Sequence, residues 1–147
     1  MYVGIDDTDM PDTRGTNRLA LAMVRQLAHR YRALSVSKHP HLQHADIPYT
    51  HGNNSCVIRL AGPLDEAALT AEVRRHMLDD FIEGSDPGLC VTSAVPERVS
   101  DFGDRSRREV LTQDEARTLA ADCGIHLEGL GGTELGGLEE IERRDQL

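Results

Sequence analysis

Four consecutive residues, Asp6-Asp7-Thr8-Asp9, put three carboxylates and a hydroxyl into one short stretch of backbone. The apolar run at residues 1–5 reads as a strand, so the carboxylates gather at a strand's carboxyl end. Hard oxygen donors in so small a volume suit Mg2+, which takes one or two protein carboxylates and fills its octahedron with water and phosphate oxygens. A cation held in this way bridges phosphate oxygens and offsets the charge that develops in phosphoryl transfer. Gly4 lets backbone or ligand approach closely. The competing account is structural, because aspartates bond their own backbone in turns and cap helices. One or two would carry no signal; three in four residues favour metal ligation by Asp6, Asp7 and Asp9.

A second element faces that loop. From Thr16 onward Ala20, Met23, Val24, Leu27, Ala28 and Tyr31 recur at three- and four-residue steps, which is the stripe of an amphipathic helix. The free N–H groups at its start would attract an anion. Carboxylates with a metal on one side and a helix N-terminus on the other make a cradle for a triphosphate.

Other candidates are weaker. His39, His41, His44 and His51 lie close in sequence without a ligand spacing, and a mobile surface loop is the expected setting. Gly52-Asn53-Asn54 is a turn by composition, although its N–H groups could meet a phosphate. Gly131-Gly132, within a glycine-rich stretch, could wrap a phosphate or allow close helix packing. It lacks the Lys and Ser/Thr of a Walker A loop. The basic trio Arg105, Arg107 and Arg108 is diluted by Asp101, Asp104 and Glu109, as on a solvated helical face. Cys56, Cys90 and Cys123 form no paired motif and read as reduced, buried thiols.

The elements that must position these residues follow from the pattern. Strands are expected at 1–5, 33–39, 55–61 and 89–95, and helices at about 16–31 and 64–82, with Pro63 near the first turn of the second. The order β-α-β-β-α-β is that of a ferredoxin-like, split βαβ sheet in an α/β (α+β) fold, with both helices on one face. Residues 96–147 add an α-β-α extension. Thr112 and Glu115 form a capping box, Gly124 stops that helix, 125–128 reads as a short strand, and Leu135, Leu138 and Ile141 mark a last helix. Residues 96–111 give no clear pattern. A length of 147 residues suits a single domain, with 1–95 as the ferredoxin-like unit.

Composition narrows the function classes. The net charge of −9 and an aromatic content of 3% argue against a chain that grips nucleic acid alone, because such proteins present basic faces and stacking platforms. No apolar run is long enough to span a bilayer and no signal peptide is recognisable, so a cytoplasmic location is expected.

Three segments together resemble a known family. Gly4-Ile5-Asp6-Asp7-Thr8-Asp9, then Ile47-Pro48-Tyr49 with Thr50-His51-Gly52-Asn53, then Leu135-Gly136-Gly137-Leu138 with Ile141, are similar to motifs of the N-terminal portion of archaeal tRNA(Ile) agmatidine synthetases. Those motifs read G-I-D-D-T-D, I-P-Y-K-T-R-G-N and I-G-A-L-A-A-I, in the same order. The resemblance implies an ATP- and Mg2+-dependent phosphorylation of a tRNA cytidine, which agmatine then attacks. It further implies that Asp6, Asp7 and Asp9 bind metal and nucleotide, that Thr8 contacts the nucleotide, and that Thr16 accepts phosphate. Asn53, Gly131 and Gly132 follow as secondary phosphate contacts. The sequence departs from the family at Met10, in place of a serine, at Asn17, in place of a threonine, and at His51, in place of an arginine. The second motif has also lost its lysine. The family continues into an OB-fold and a zinc ribbon, neither of which is expected in this sequence. The isolated chain is therefore expected to bind tRNA weakly, with a substrate that is small or is delivered by a protein partner. A non-catalytic small-ligand-binding or interaction subunit is the alternative.

Overall fold

The structure, a computed structural model, describes residues 1–10, 12–46 and 54–130. Five strands, β1 (Tyr2–Asp6), β2 (Ala33–Pro40), β3 (Asn54–Leu60), β4 (Gly88–Thr92) and β5 (His126–Gly129), form one sheet in the order β2-β3-β1-β4-β5. Every neighbouring pair is antiparallel. Helix α1 (Thr16–Leu27) connects β1 to β2, and α2 (Glu66–Asp79) connects β3 to β4. Both crossovers skip one strand, which is the split βαβ arrangement expected from the element order.

Alternation along the strands sorts their side chains between two faces. Val3 and Ile5, Cys56, Ile58 and Leu60, and Leu89 and Val91 point to one face. There they bury against Leu19, Ala20, Met23 and Leu27 of α1 and Leu69, Val73 and Met77 of α2. Each such side chain contributes roughly 1.5–3 kcal/mol on burial, so this layer carries most of the cohesion. Tyr31 lies beyond the end of α1 but still packs against the core.

The opposite face is covered too, by one helix that the sequence pattern gives and one that it does not. Helix α3 (Glu97–Arg105) falls in the stretch without a clear pattern, and α4 (Gln113–Cys123) follows it. Cys90, which points away from the first core, joins Val99, Phe102, Leu111, Ala116, Leu119, Ala120 and Ile125 in a second apolar cluster. The capping box at Thr112 and Glu115 is present, and Gly124 ends α4 in the left-handed region at φ 66°. Helix α2 starts later than expected. Asp65 caps it by accepting the Ala68 N–H, which leaves Pro63 outside the first turn. No helix among the described residues is long and apolar enough to cross a membrane. The expectations placed on residues 47–53, including Asn53 and His51, and on Gly131, Gly132 and the last helix lie outside the described residues.

Candidate active site at the β1–α1 loop

β1 ends at Asp6, and the backbone turns sharply there. Asp7 takes a left-handed conformation, φ 53°, which Asp tolerates better than most residues but which still costs energy. Its N–H donates to Asp6 Oδ1 at 2.7 Å. The turn drives the Asp7 side chain inward, leaving the residue 6% exposed, while Asp6 and Asp9 are half-buried. Strain of this kind, held by a buried carboxylate, is a recognised mark of functional loops.

Behind the carboxylates runs a relay of donors. Thr8 is 1% exposed, and its hydroxyl donates to Thr16 Oγ1 at 3.0 Å. Arg14 Nη1 donates to the Thr8 carbonyl at 2.9 Å and approaches Thr8 Oγ1 at 3.3 Å. The same guanidinium donates through Nε to Asp80 Oδ2 and through Nη2 to the Asp80 carbonyl, both at 2.7 Å. Arg14 thus ties the loop to the C-terminal cap of α2. With a donor facing the Thr8 oxygen, the Thr8 proton is directed at Thr16, and the Thr16 proton is left to point elsewhere. Sequence reasoning did not single out Arg14; its only signal was a basic residue within an acidic loop.

Thr16 opens α1. The N-cap, Gly15, makes no side-chain cap, and the first turn contains no acidic residue. The N-terminal N–H groups and the helix dipole therefore keep their affinity for an anion.

The donor chemistry of the loop fits Mg2+, since Asp6, Asp7 and Asp9 offer oxygens alone. Among the described residues no group of three or more His, Cys, Asp or Glu side chains is arranged to hold a metal by itself. Asp6, Asp7 and Asp9, expected to ligate a metal together, are thus not gathered into one such group. Asp6 and Asp9 both act electrostatically on Cys56. Burial, with their negative charge adding to it against Lys38, pushes that thiol up to about 11, so it stays protonated and inert. Cys56, Cys90 and Cys123 are free thiols, the last only half-buried.

One histidine departs from the surface-loop expectation. His39 lies within β2, as the strand expected at 33–39 implies, and His44 is exposed, but His41 is not. His41 is 8% exposed, with Nδ1 2.9 Å from Ser106 Oγ and Nε2 2.8 Å from Ser55 Oγ. Ser106 Oγ already donates to the Gly103 carbonyl, so it accepts from Nδ1–H, and Nε2 accepts from Ser55. The ring is thereby fixed as the neutral tautomer. Burial first, then the charges of His39 and Arg107, bring its pKa down to about 4. Ser55 pairs with Asp6 across β1 and β3, so His41 braces the strand opposite the acidic loop.

No family model matches the chain. The tRNA 2-agmatinylcytidine synthetase TiaS of Pyrococcus horikoshii is 29% identical over 133 residues, covering 86% of this chain and 31% of that protein. A crystal structure of TiaS with its tRNA and ATP shares the fold at a TM-score of 0.73 and 23% identity, covering 97% of this chain and 34% of that one. The apo TiaS structure gives 0.73 at 22% identity, over 96% of this chain and 34% of that one. A complex of TiaS with tRNA, AMPCPP and agmatine gives 0.71 at 20% identity, over 87% and 32%. The chain spans about a third of the length of the relatives it matches. In sequence and in fold it resembles the N-terminal portion of the tRNA(Ile) agmatidine synthetases.

Proposed function

We propose that the chain is a Mg2+- and nucleotide-dependent phosphotransferase domain of the agmatidine synthetase type, acting on a substrate that is small or is brought by a partner. The observation that carries this reading is the relay from Arg14 through Thr8 to Thr16, lying beneath an acidic turn at an uncapped helix N-terminus. Solved structures of the similar protein TiaS hold ATP or AMPCPP, which supports a nucleotide as the ligand.

In this reading Asp7, with Asp6 or Asp9, holds the cation. Bound there, Mg2+ would supply charge neutralisation on the nucleotide phosphates. The first N–H groups of α1 receive a phosphate oxygen, and Thr8 fixes the orientation of the Thr16 hydroxyl. Thr16 is 8% exposed and lies against Thr8 at the start of α1. Asn53, Gly131 and Gly132 remain proposed as secondary phosphate contacts.

The test is intact-mass and tandem mass spectrometry of the chain after incubation with ATP and Mg2+. A single phosphate on Thr16 is the expected product, retained in Thr16→Ser and lost in Thr16→Ala. Labelling that persists at full level in Thr16→Ala would assign the acceptor elsewhere.

Proposed, too, is that the chain alone binds tRNA weakly. A net charge of −9 opposes long-range attraction to phosphate. Few phosphates would be neutralised, so affinity should fall off within a modest rise in salt. Anisotropy titrations of isoleucine tRNA across a salt series check this. Submicromolar binding at physiological salt would restore a direct tRNA-modifying role to the chain by itself.

A further inference from the structure

The loop that carries Asp7, Thr8 and Asp9 leans on the turn between α2 and β4 at two points. At the first, Met10 lies over Gly84, where a Cβ would meet Met10 Cε at 3.1 Å and Sδ at 3.3 Å. At the second, Asp80 takes the Arg14 guanidinium with two acceptors, Oδ2 and its own carbonyl oxygen, each at 2.7 Å. Asp80 is held in its turn as the C-cap of α2, with its N–H donating to the His76 and Leu78 carbonyls. The remaining Arg14 nitrogen, Nη1, faces Thr8, 2.9 Å from the carbonyl and 3.3 Å from Oγ1.

Two hydroxyls in contact can share a proton in either sense, because each both donates and accepts. Thr8 Oγ1 and Thr16 Oγ1 lie 3.0 Å apart, and nothing in the pair alone selects the direction. A guanidinium only donates, so Arg14 beside Thr8 Oγ1 turns the Thr8 proton toward Thr16. Thr16 keeps one lone pair for attack and its own proton pointing away. We propose that Asp80 is a positioning residue for phosphoryl transfer to Thr16, which rests on the reading of Thr16 as the acceptor: by holding Arg14 against Thr8, Asp80 fixes that direction. In the transfer Thr16 Oγ1 bonds to the γ-phosphorus and the bond from that phosphorus to the bridging oxygen breaks. Nucleoside diphosphate leaves with the electron pair, and the Thr16 proton passes to water. The Asp80 side chain is more than half exposed, and ion pairs so exposed add little to stability. Its substitution therefore separates positioning from folding.

The test follows the initial rate of Thr16 phosphorylation by mass spectrometry against ATP concentration at fixed Mg2+, in the parent chain and three variants. Asp80→Ala should lower the maximal rate by about tenfold, within the roughly hundredfold that a small misplacement can cost. The ATP concentration giving half that rate should stay within about twofold, as for an interaction that acts on the chemical step. Asp80→Asn keeps an oxygen for Arg14 Nε and should recover most of the rate. Met10→Ala removes the other point of support, leaves Arg14 in place, and should cost less than about threefold. Equal losses in Asp80→Ala and Met10→Ala, or a change confined to the half-saturating concentration, would overturn the proposal. Absence of phosphate from Thr16 in the parent chain would be the failure of the acceptor reading instead, and amide hydrogen exchange then decides on Asp80 by itself. Asp80→Ala should speed exchange across the peptide spanning 7–16 by about tenfold, through easier local opening, and Asp80→Asn should not. Exchange in Asp80→Ala equal to that of the parent chain would overturn the role of Asp80.

Discussion

ATP with Mg2+, at about a hundredfold excess over its dissociation constant, should raise the melting temperature by about 5–10 °C, and Asp7→Asn should remove most of that rise. The magnitude follows from mass action. A ligand that binds only the folded chain at that excess stabilises it by about 2.7 kcal/mol, and each kcal/mol moves the midpoint of a domain this size by roughly 2–4 °C. The substitution is chosen for its backbone. Asp7 sits at φ 53°, and Asn enters that region about as readily as Asp. The change therefore removes a charge while keeping shape and turn preference, and the unliganded melting temperature should stay close to that of the parent chain. ATP without Mg2+ should give a smaller rise. A full shift in Asp7→Asn would show that the carboxylate does not hold the cation. A lost shift together with a lowered unliganded melting temperature would show that the residue serves the turn instead.

The residues that were legible beforehand share one property: their signal is local. Strand alternation at Val3 and Ile5, the α1 stripe through Met23 and Leu27, and the Thr112–Glu115 capping box are each written within a few residues, and the structure bears them out. The acidic turn was legible as a cluster, but its inward-facing member was not. Asp7 is buried because the backbone reverses there, and no composition rule specifies which of three adjacent aspartates takes the left-handed position. Helix α3 was missed because only Val99 and Phe102 are buried along its nine residues, too few for a period to show. Arg14 and His41 were missed for a different reason. Arg14 is given its role by Asp80, 66 residues away, and His41 by Ser55 and Ser106, 14 and 65 residues away. A side chain whose partners are that distant looks, in sequence, like any polar residue in a loop.

His41 provides the second large effect, on stability rather than binding. In the folded chain its pKa is lowered to about 4 from the ordinary 6.5. As pH falls through about 6.5, the unfolded chain takes up a proton at this ring, and the folded chain does not until about 4. The stability contributed by the neutral ring is therefore complete above pH 6.5 and is lost as pH falls toward 4, about 3 kcal/mol over the window. The physical cause is visible in the two serines. Protonation adds a second N–H at Nε2, where Ser55 is already donating, and the Ser106 proton is committed to the Gly103 carbonyl. The added charge also lies near Arg107. His39 shifts in the same direction, and carboxylates titrate below pH 5, so the informative quantity is the difference between the chain and its His41→Gln variant. Urea denaturation at pH 7.5 should find the variant less stable, having exchanged a buried two-point hydrogen bond for a poorer one. On lowering the pH to 4 the stability difference between them should move by about 3 kcal/mol in favour of the variant, since only the parent chain loses the neutral ring's contribution. Curves that run parallel from pH 7.5 to 4 would mean that the imidazole is readily protonated in the folded chain and that the two-serine clamp does not fix its charge.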